Sequence, residues 1–159
     1  MDVIYRPIGV IHSPFADLKG MPIQPTGKAS APGVAEVFPE FAAGLKDLDG
    51  FSHVILLYHL HEVRRTALVV TPFLGEQARG IFATRAPTRP NPIGLSITEL
   101  VRIEDNKLHL ANVDILDATP LLDIKPYVPE FDQPGDVRTG WLEAAEGKVR
   151  SKKSDDRFV

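Results

Sequence analysis

Proline limits this chain more than any other residue. Fourteen prolines are spread along 159 residues. Each fixes its own φ, removes a backbone donor and biases the preceding residue away from helical geometry, which caps the length of any helix. The apolar segments between the turn signals are short, and most look like strands. Ile4 to Ile11 is β-branched and ends at Ser13-Pro14, and Gly33 to Phe38 alternates apolar and polar residues up to Pro39. His53 to Leu60 is a nearly continuous apolar run, and Ala67 to Val70, Gly80 to Ala83 and Leu95 to Ile103 read the same way. Leu108 to Ile115 pairs with the last of these across Glu104-Asp105-Asn106-Lys107, a good hairpin turn. Two helices are expected, Glu40 to Leu48, stopped by Asp49-Gly50, and a short one at Trp141 to Ala145. The resulting fold class is mainly β, an antiparallel sheet closed into a barrel with a few short helices.

Composition bounds the function. A chain of this length, 43% hydrophobic, fits one domain with one buried core, expected over residues 1–145. Residues 146–159 (Lys148, Arg150, Lys152 and Lys153 among them) lack an apolar pattern and are expected to form a polar tail. No apolar run reaches membrane-spanning length, and the N-terminus lacks the basic stretch and apolar core of a signal peptide. With no cysteine, disulfides and thiolate chemistry are excluded, and a cytoplasmic protein is expected. The net charge of −3 argues mildly against nucleic acid, but local basic groups could override it: Arg64-Arg65, and Arg79, Arg85 and Arg89.

The stretch Thr84 to Ser96 (TRAPTRPNPIGLS) draws the most attention. Its three prolines make a stiff frame, and Gly94 allows a turn or a close approach. Preorganisation of this kind lowers the entropy lost on binding. Arg85 and Arg89 suit carboxylates, phosphates or aromatic faces, and Asn91 offers both a donor pair and an acceptor, as an adenine edge requires. A plain proline-rich surface connection would show the same dipeptides singly, but here rigidity, charge and a paired donor-acceptor coincide. Asp117 and Asp123 could accept hydrogen bonds from a ligand and Lys125 could meet an anion; an Asx turn with a surface ion pair accounts for them equally well. His59 and His61, placed two apart on one strand, face the same side and with Glu62 hint at metal ligation. A zinc site needs three or four ligands, so no metal is expected. Glycines spaced as G-x-G and a G-x-S-x-G elbow are both absent, which excludes the common Rossmann, P-loop and hydrolase frameworks.

Taken in order, several strings resemble the TsaA-like (TrmO/YaeB) family. They are Ile8 to Phe15, Pro22-Ile23-Gln24, Phe51-Ser52-His53 with a strand ending at His61-Glu62, Phe82 to Arg85 running into Arg89 to Ser96, and Asp114 to Pro120 with Asp123 to Tyr127. The resemblance implies a homodimeric β-barrel methyltransferase dependent on S-adenosylmethionine (SAM). It implies methylation of N6 of threonylcarbamoyl-modified adenosine at position 37, in the anticodon loop of tRNA. By motif match the cofactor contacts fall on Pro22, Ile23, Gln24, His61, Glu62, Arg85 and Leu95, with the turn Ile115, Leu116, Asp117 and Ala118 completing the site. Asn91 is the candidate catalytic residue, with the carbonyls around Pro90 to Pro92 as alternatives, and Arg89, Lys125 and Tyr127 are candidate substrate contacts. Two departures stand out. The family usually has glycine where this chain has Ala118, and bacterial members carry a C-terminal extension with no counterpart here. Two other readings stay open: a SAM-dependent methyltransferase acting on a small molecule or another RNA, and a SAM-binding regulatory module without catalysis.

Overall fold

The computed structural model describes residues 1–17 and 31–145. Six strands close into an antiparallel barrel: β1 (Gly9–His12), β2 (Gly33–Val37), β3 (His53–His59), β6 (Ile93–Glu104), β7 (Lys107–Ala111) and β8 (Thr119–Pro126). Around the barrel they run β1-β2-β7-β6-β3-β8 and back to β1. Closure leaves no unpaired edge, which suits strands this short. Between β3 and β6 the chain makes an excursion with its own two-stranded hairpin, β4 (Val69–Val70) and β5 (Arg79–Gly80), and a small apolar cluster of Val70, Ile81 and Ala86.

Side chains alternate across each strand, so every strand contributes to one core. Ile11, Ala35, Val37, Val54, Leu56, Leu108, Leu110 and Leu121 fill it. The β6–β7 hairpin turns at Asp105, whose φ of 53° is left-handed, as such turns require of at least one residue. β6 inverts the usual pattern. Gly94, Ser96, Thr98 and Leu100 point inward, while Ile93, Leu95, Ile97 and Val101 stay exposed.

The described residues bear out the barrel and correct several of its parts. β1 starts at Gly9, and residues 4–8 are not strand. Gly80 to Ala83 is a two-residue bridge followed by a 3₁₀ turn, Ile81–Ala83. The helix expected from Glu40 is a 3₁₀ helix, Pro39–Leu45, and the chain reverses at Asp47, φ 66°. Trp141 lies in a 3₁₀ helix, Gly140–Ala145. The largest difference is β8, which the sequence presents as a polar turn. Pro120 and Pro126 stand at its two ends, where the missing N–H costs least, so strand pairing survives between them. Pro22, Ile23 and Gln24, and the tail 146–159, lie outside the described residues.

Candidate functional site

One rim of the barrel gathers most of the residues singled out by sequence. At this rim β1, β3 and β7 end and β2, β6 and β8 begin. The excursion 60–92 leaves and re-enters here, tied by the Leu60 amide donating to the Pro92 carbonyl at 2.8 Å. The residues flanking the undescribed segment 18–30 also sit here. The carbonyl of Phe15 accepts from the Asp117 amide at 2.8 Å, and that of Ala31 accepts from the Val113 amide at 3.0 Å.

The loop that carries Arg85 is held by its own carbonyls. One terminal nitrogen of Arg89 donates to the carbonyls of Thr84 (2.8 Å), Ile81 (3.2 Å) and Ala86 (3.4 Å), and the guanidinium lies over the Phe82 ring. Trp141 Nε1 donates to the Ala83 carbonyl at 2.8 Å. The Thr84 hydroxyl donates to the Ile81 carbonyl and accepts from the Ala86 amide. Arg89, read from sequence as a substrate contact, thus commits one terminal nitrogen to the loop itself, and it also lines the adjacent pocket. Arg85 makes no hydrogen bond or ion pair among the described residues, which leaves its charge for a ligand.

Arg85 lines a pocket of about 290 Å³ with Tyr58, Leu60, Arg89, Ile93, Leu95 and Asp114. Asp114 follows β7 and reaches back to β6. It accepts a hydrogen bond from the Ser96 hydroxyl at 2.6 Å, and Tyr58 lies 2.9 Å from the same hydroxyl oxygen. While Asp114 is ionised it can only accept, so the chain runs from Tyr58 through Ser96 to Asp114. Burial pushes the Asp114 carboxyl up to about 6, against the lowering effects of the Ser96 bond and the Arg85 charge. Burial also pushes the Tyr58 phenol well above its usual range, so it stays protonated. Gly94 is indispensable to this chain, because a Cβ there would fall 2.1 Å from the Tyr58 ring. Neither Tyr58 nor Asp114 stood out in the sequence. Tyr58 looked like one more member of an apolar strand, and Ser96 and Asp114 were present only as members of the family strings, with no role assigned to either.

The other site residues divide by position. His61 and Glu62 lie just past β3, in a turn rather than on the strand, so His59 and His61 do not share a face as expected. His61 Nδ1 is 3.4 Å from the Thr119 hydroxyl, which in turn donates to the Leu116 carbonyl at 2.7 Å. Thr119 thus ties the 115–118 turn to His61 at the barrel rim, though neither His61, Glu62 nor the turn lines the pocket. Ile115 buries its side chain in the core and its carbonyl accepts from the Ser13 hydroxyl. The Asp117 carboxylate accepts from the Ser13 amide at 3.0 Å, which holds its pKa below the usual carboxylate range. Ala118 has φ 59°, the left-handed conformation that a glycine would take without strain. Asn91 is exposed on the loop beside the pocket but does not line it, and its carbonyl and that of Pro92 are taken by the amides of Ile93 and Leu60. Lys125 and Tyr127 sit elsewhere. Lys125 pairs with Ile55 across β8–β3 and Tyr127 bonds the His53 carbonyl, roughly 10–17 Å along β3 from Tyr58. Lys125 is also paired with Asp123 at 2.8 Å.

Comparison with known proteins agrees with this arrangement. The family model described as "tRNA-methyltransferase O N-terminal domain" matches residues 10–133. A Pyrococcus abyssi protein named "Probable S-adenosyl-L-methionine-binding protein" is 54% identical over 98% of this chain and 85% of its own length. The mouse "tRNA (adenine(37)-N6)-methyltransferase" is 36% identical over 84% of this chain, which spans 32% of that protein. A crystal structure of TrmO from Pseudomonas aeruginosa superimposes with a TM-score of 0.74 at 40% identity, over 89% of this chain and 63% of that one. With the barrel, the rim and the matched residues in agreement, the chain belongs to the tRNA-methyltransferase O N-terminal domain family.

Proposed function

We propose that this chain is a SAM-dependent methyltransferase acting on N6 of the adenine at position 37 of tRNA, on a base that carries the threonylcarbamoyl group. The observation that carries the proposal is the pocket at the rim, where Arg85, a guanidinium with no hydrogen bond or ion pair among the described residues, faces an apolar wall of Leu60, Ile93 and Leu95. SAM carries a carboxylate, an ammonium and an apolar thioether arm, so these donors and walls fit it in kind. Arg85 answers the carboxylate, while His61, Glu62 and the 115–118 turn offer acceptors and backbone groups along the same rim. Pro22, Ile23 and Gln24 belong to the segment whose flanking residues, Phe15 and Ala31, are anchored there.

When bound, SAM supplies a methyl group already activated on a sulfonium, so the protein's own work is positioning and exclusion of water. Leu60, Ile93 and Leu95 exclude water, and the Arg89-braced loop holds Arg85 and Asn91 in place. Asn91, on the lip, is placed to hydrogen-bond the incoming base. Lys125 and Tyr127 are too far from the pocket to touch a small ligand in it, and serve as contacts only to a substrate as large as RNA. The exposed stripe of Ile93 (41%), Leu95 (48%), Ile97 (38%) and Val101 (55%) on β6 is covered by a second copy of the chain. A cytoplasmic location follows from the tRNA substrate.

The test is incubation with methyl-labelled SAM and total tRNA, followed by digestion to nucleosides. Label in an N6-methylated adenosine derivative is expected. Label confined to small molecules would overturn the tRNA assignment, and SAM binding without any transfer would point to a regulatory module. Sedimentation as a monomer at micromolar concentration would remove the dimer.

A further inference from the structure

The relay Tyr58–Ser96–Asp114 is not explained by cofactor binding alone. Its three members come from β3, β6 and the segment after β7, and its two ends, Tyr58 and Asp114, line the pocket. A barrel core gains nothing from a carboxylate with a hydroxyl chain behind it; an apolar trio of similar volume would pack there without the desolvation cost. Polar residues on the inner face of β6, with apolar ones turned outward, are the same anomaly seen from the strand. A hydroxyl chain ending on a titratable carboxylate at a pocket suits the holding or moving of a proton.

We propose that Asp114 is a catalytic residue, the acceptor of the proton that the target nitrogen must lose, with Ser96 and Tyr58 as positioning residues. The inference rests on the methyltransferase reading above and adds its proton path. An exocyclic adenine nitrogen is a weak nucleophile because its lone pair is delocalised into the ring. A carboxylate aimed at its N–H localises that pair as the new bond forms. The balance is complete: the nitrogen pair forms the N–C bond, the C–S pair stays on sulfur, and the N–H proton passes to the Asp114 carboxylate. Ser96 donates to one carboxylate oxygen and Tyr58 donates to Ser96, which fixes the rotamer of Asp114. The charged and titratable groups facing it are Arg85 from the loop and Tyr58 from β3. Its carboxyl, held near 6, is ionised at neutral pH and basic enough to take a proton, the balance that general-base catalysis favours.

Asp114→Asn and Ser96→Ala test this with three readouts: SAM affinity by calorimetry, kcat and KM for tRNA, and the pH dependence of kcat. Asp114→Asn should bind SAM within about twofold of wild type and keep KM for tRNA. Its kcat should fall at least about a hundredfold, with loss of the acid limb near pH 6. Ser96→Ala should move that limb to higher pH, because the Ser96 bond holds the Asp114 carboxyl down. SAM affinity falling more than tenfold in Asp114→Asn, with kcat at saturation unchanged, would make Asp114 a cofactor ligand and overturn the proposal. An unmoved limb in Ser96→Ala would overturn it as well. Wild type that transfers no methyl to adenine would instead overturn the underlying function, and this inference with it.

Discussion

Replacing Asp114 with Asn should stabilise the protein, and only above mildly acidic pH. Asp114 is held at about 6 in the fold against the ordinary aspartate value of 3.8. At about 1.4 kcal/mol per unit, the ionised carboxylate costs the native state about 3 kcal/mol. The sign follows from proton binding. Between about pH 4 and 6 the folded chain binds more protons at this site than the unfolded chain, so stability falls as pH rises through that window and is flat above it. Asparagine carries no charge, and its side-chain oxygen can still accept from Ser96. The variant should therefore be more stable by about 2–3 kcal/mol at pH 8, and the two proteins should converge near pH 4. For a domain of this size that is a Tm increase of roughly 5–10 °C. Urea and thermal unfolding of both proteins across this pH range measure it. Every other titrating group is common to the pair, so the difference isolates Asp114. A gap that stays constant with pH, or a variant less stable at pH 8, would refute the reasoning.

Three further substitutions probe the rim. Arg89→Ala removes the donor that braces the carbonyls of Ile81, Thr84 and Ala86, and should cost about 2 kcal/mol in urea unfolding; an unchanged midpoint would leave Arg89 free for another task. Ala118→Gly relieves a left-handed alanine and should raise stability by about 0.5–1 kcal/mol, read as a small Tm increase; a decrease would show that the turn is not strained there. Arg85→Ala should weaken SAM binding at least about tenfold by calorimetry, the loss expected for one charged hydrogen-bonded pair; equal affinity would remove Arg85 from the cofactor site.

The barrel was legible because its strands are punctuated so heavily. Prolines, the Glu104–Lys107 turn and short alternating runs fix β2, β3, β6 and β7 to within a few residues. β8 was not legible, because Pro120 and Pro126 carry the same local signal whether they bracket a strand or interrupt a loop; pairing to β1 and β3 decides it. The site divides the same way. Arg85 and Leu95, which line the pocket, and His61, Glu62 and the 115–118 turn, which lie nearby on the barrel rim, were singled out from ordered strings, which retain spacing. The Tyr58–Ser96–Asp114 relay joins positions 38 and 18 residues apart and exists only once the barrel closes. Arg89 shows another limit: an arginine's charge is visible in sequence, but the carbonyls that take one of its nitrogens are not. The carbonyls of the central loop are taken by Arg89 and Trp141, a bracing that the prolines alone did not announce.

The central claim is methylation of N6 at position 37 of tRNA on a threonylcarbamoyl-bearing base. Its most direct test is nucleoside mass spectrometry of purified tRNA with and without that modification, each incubated with SAM and the protein. One added methyl group is expected on the threonylcarbamoyladenosine of the modified tRNA, and none on the unmodified tRNA. An unmethylated modified nucleoside after complete incubation, with SAM binding intact, would contradict it.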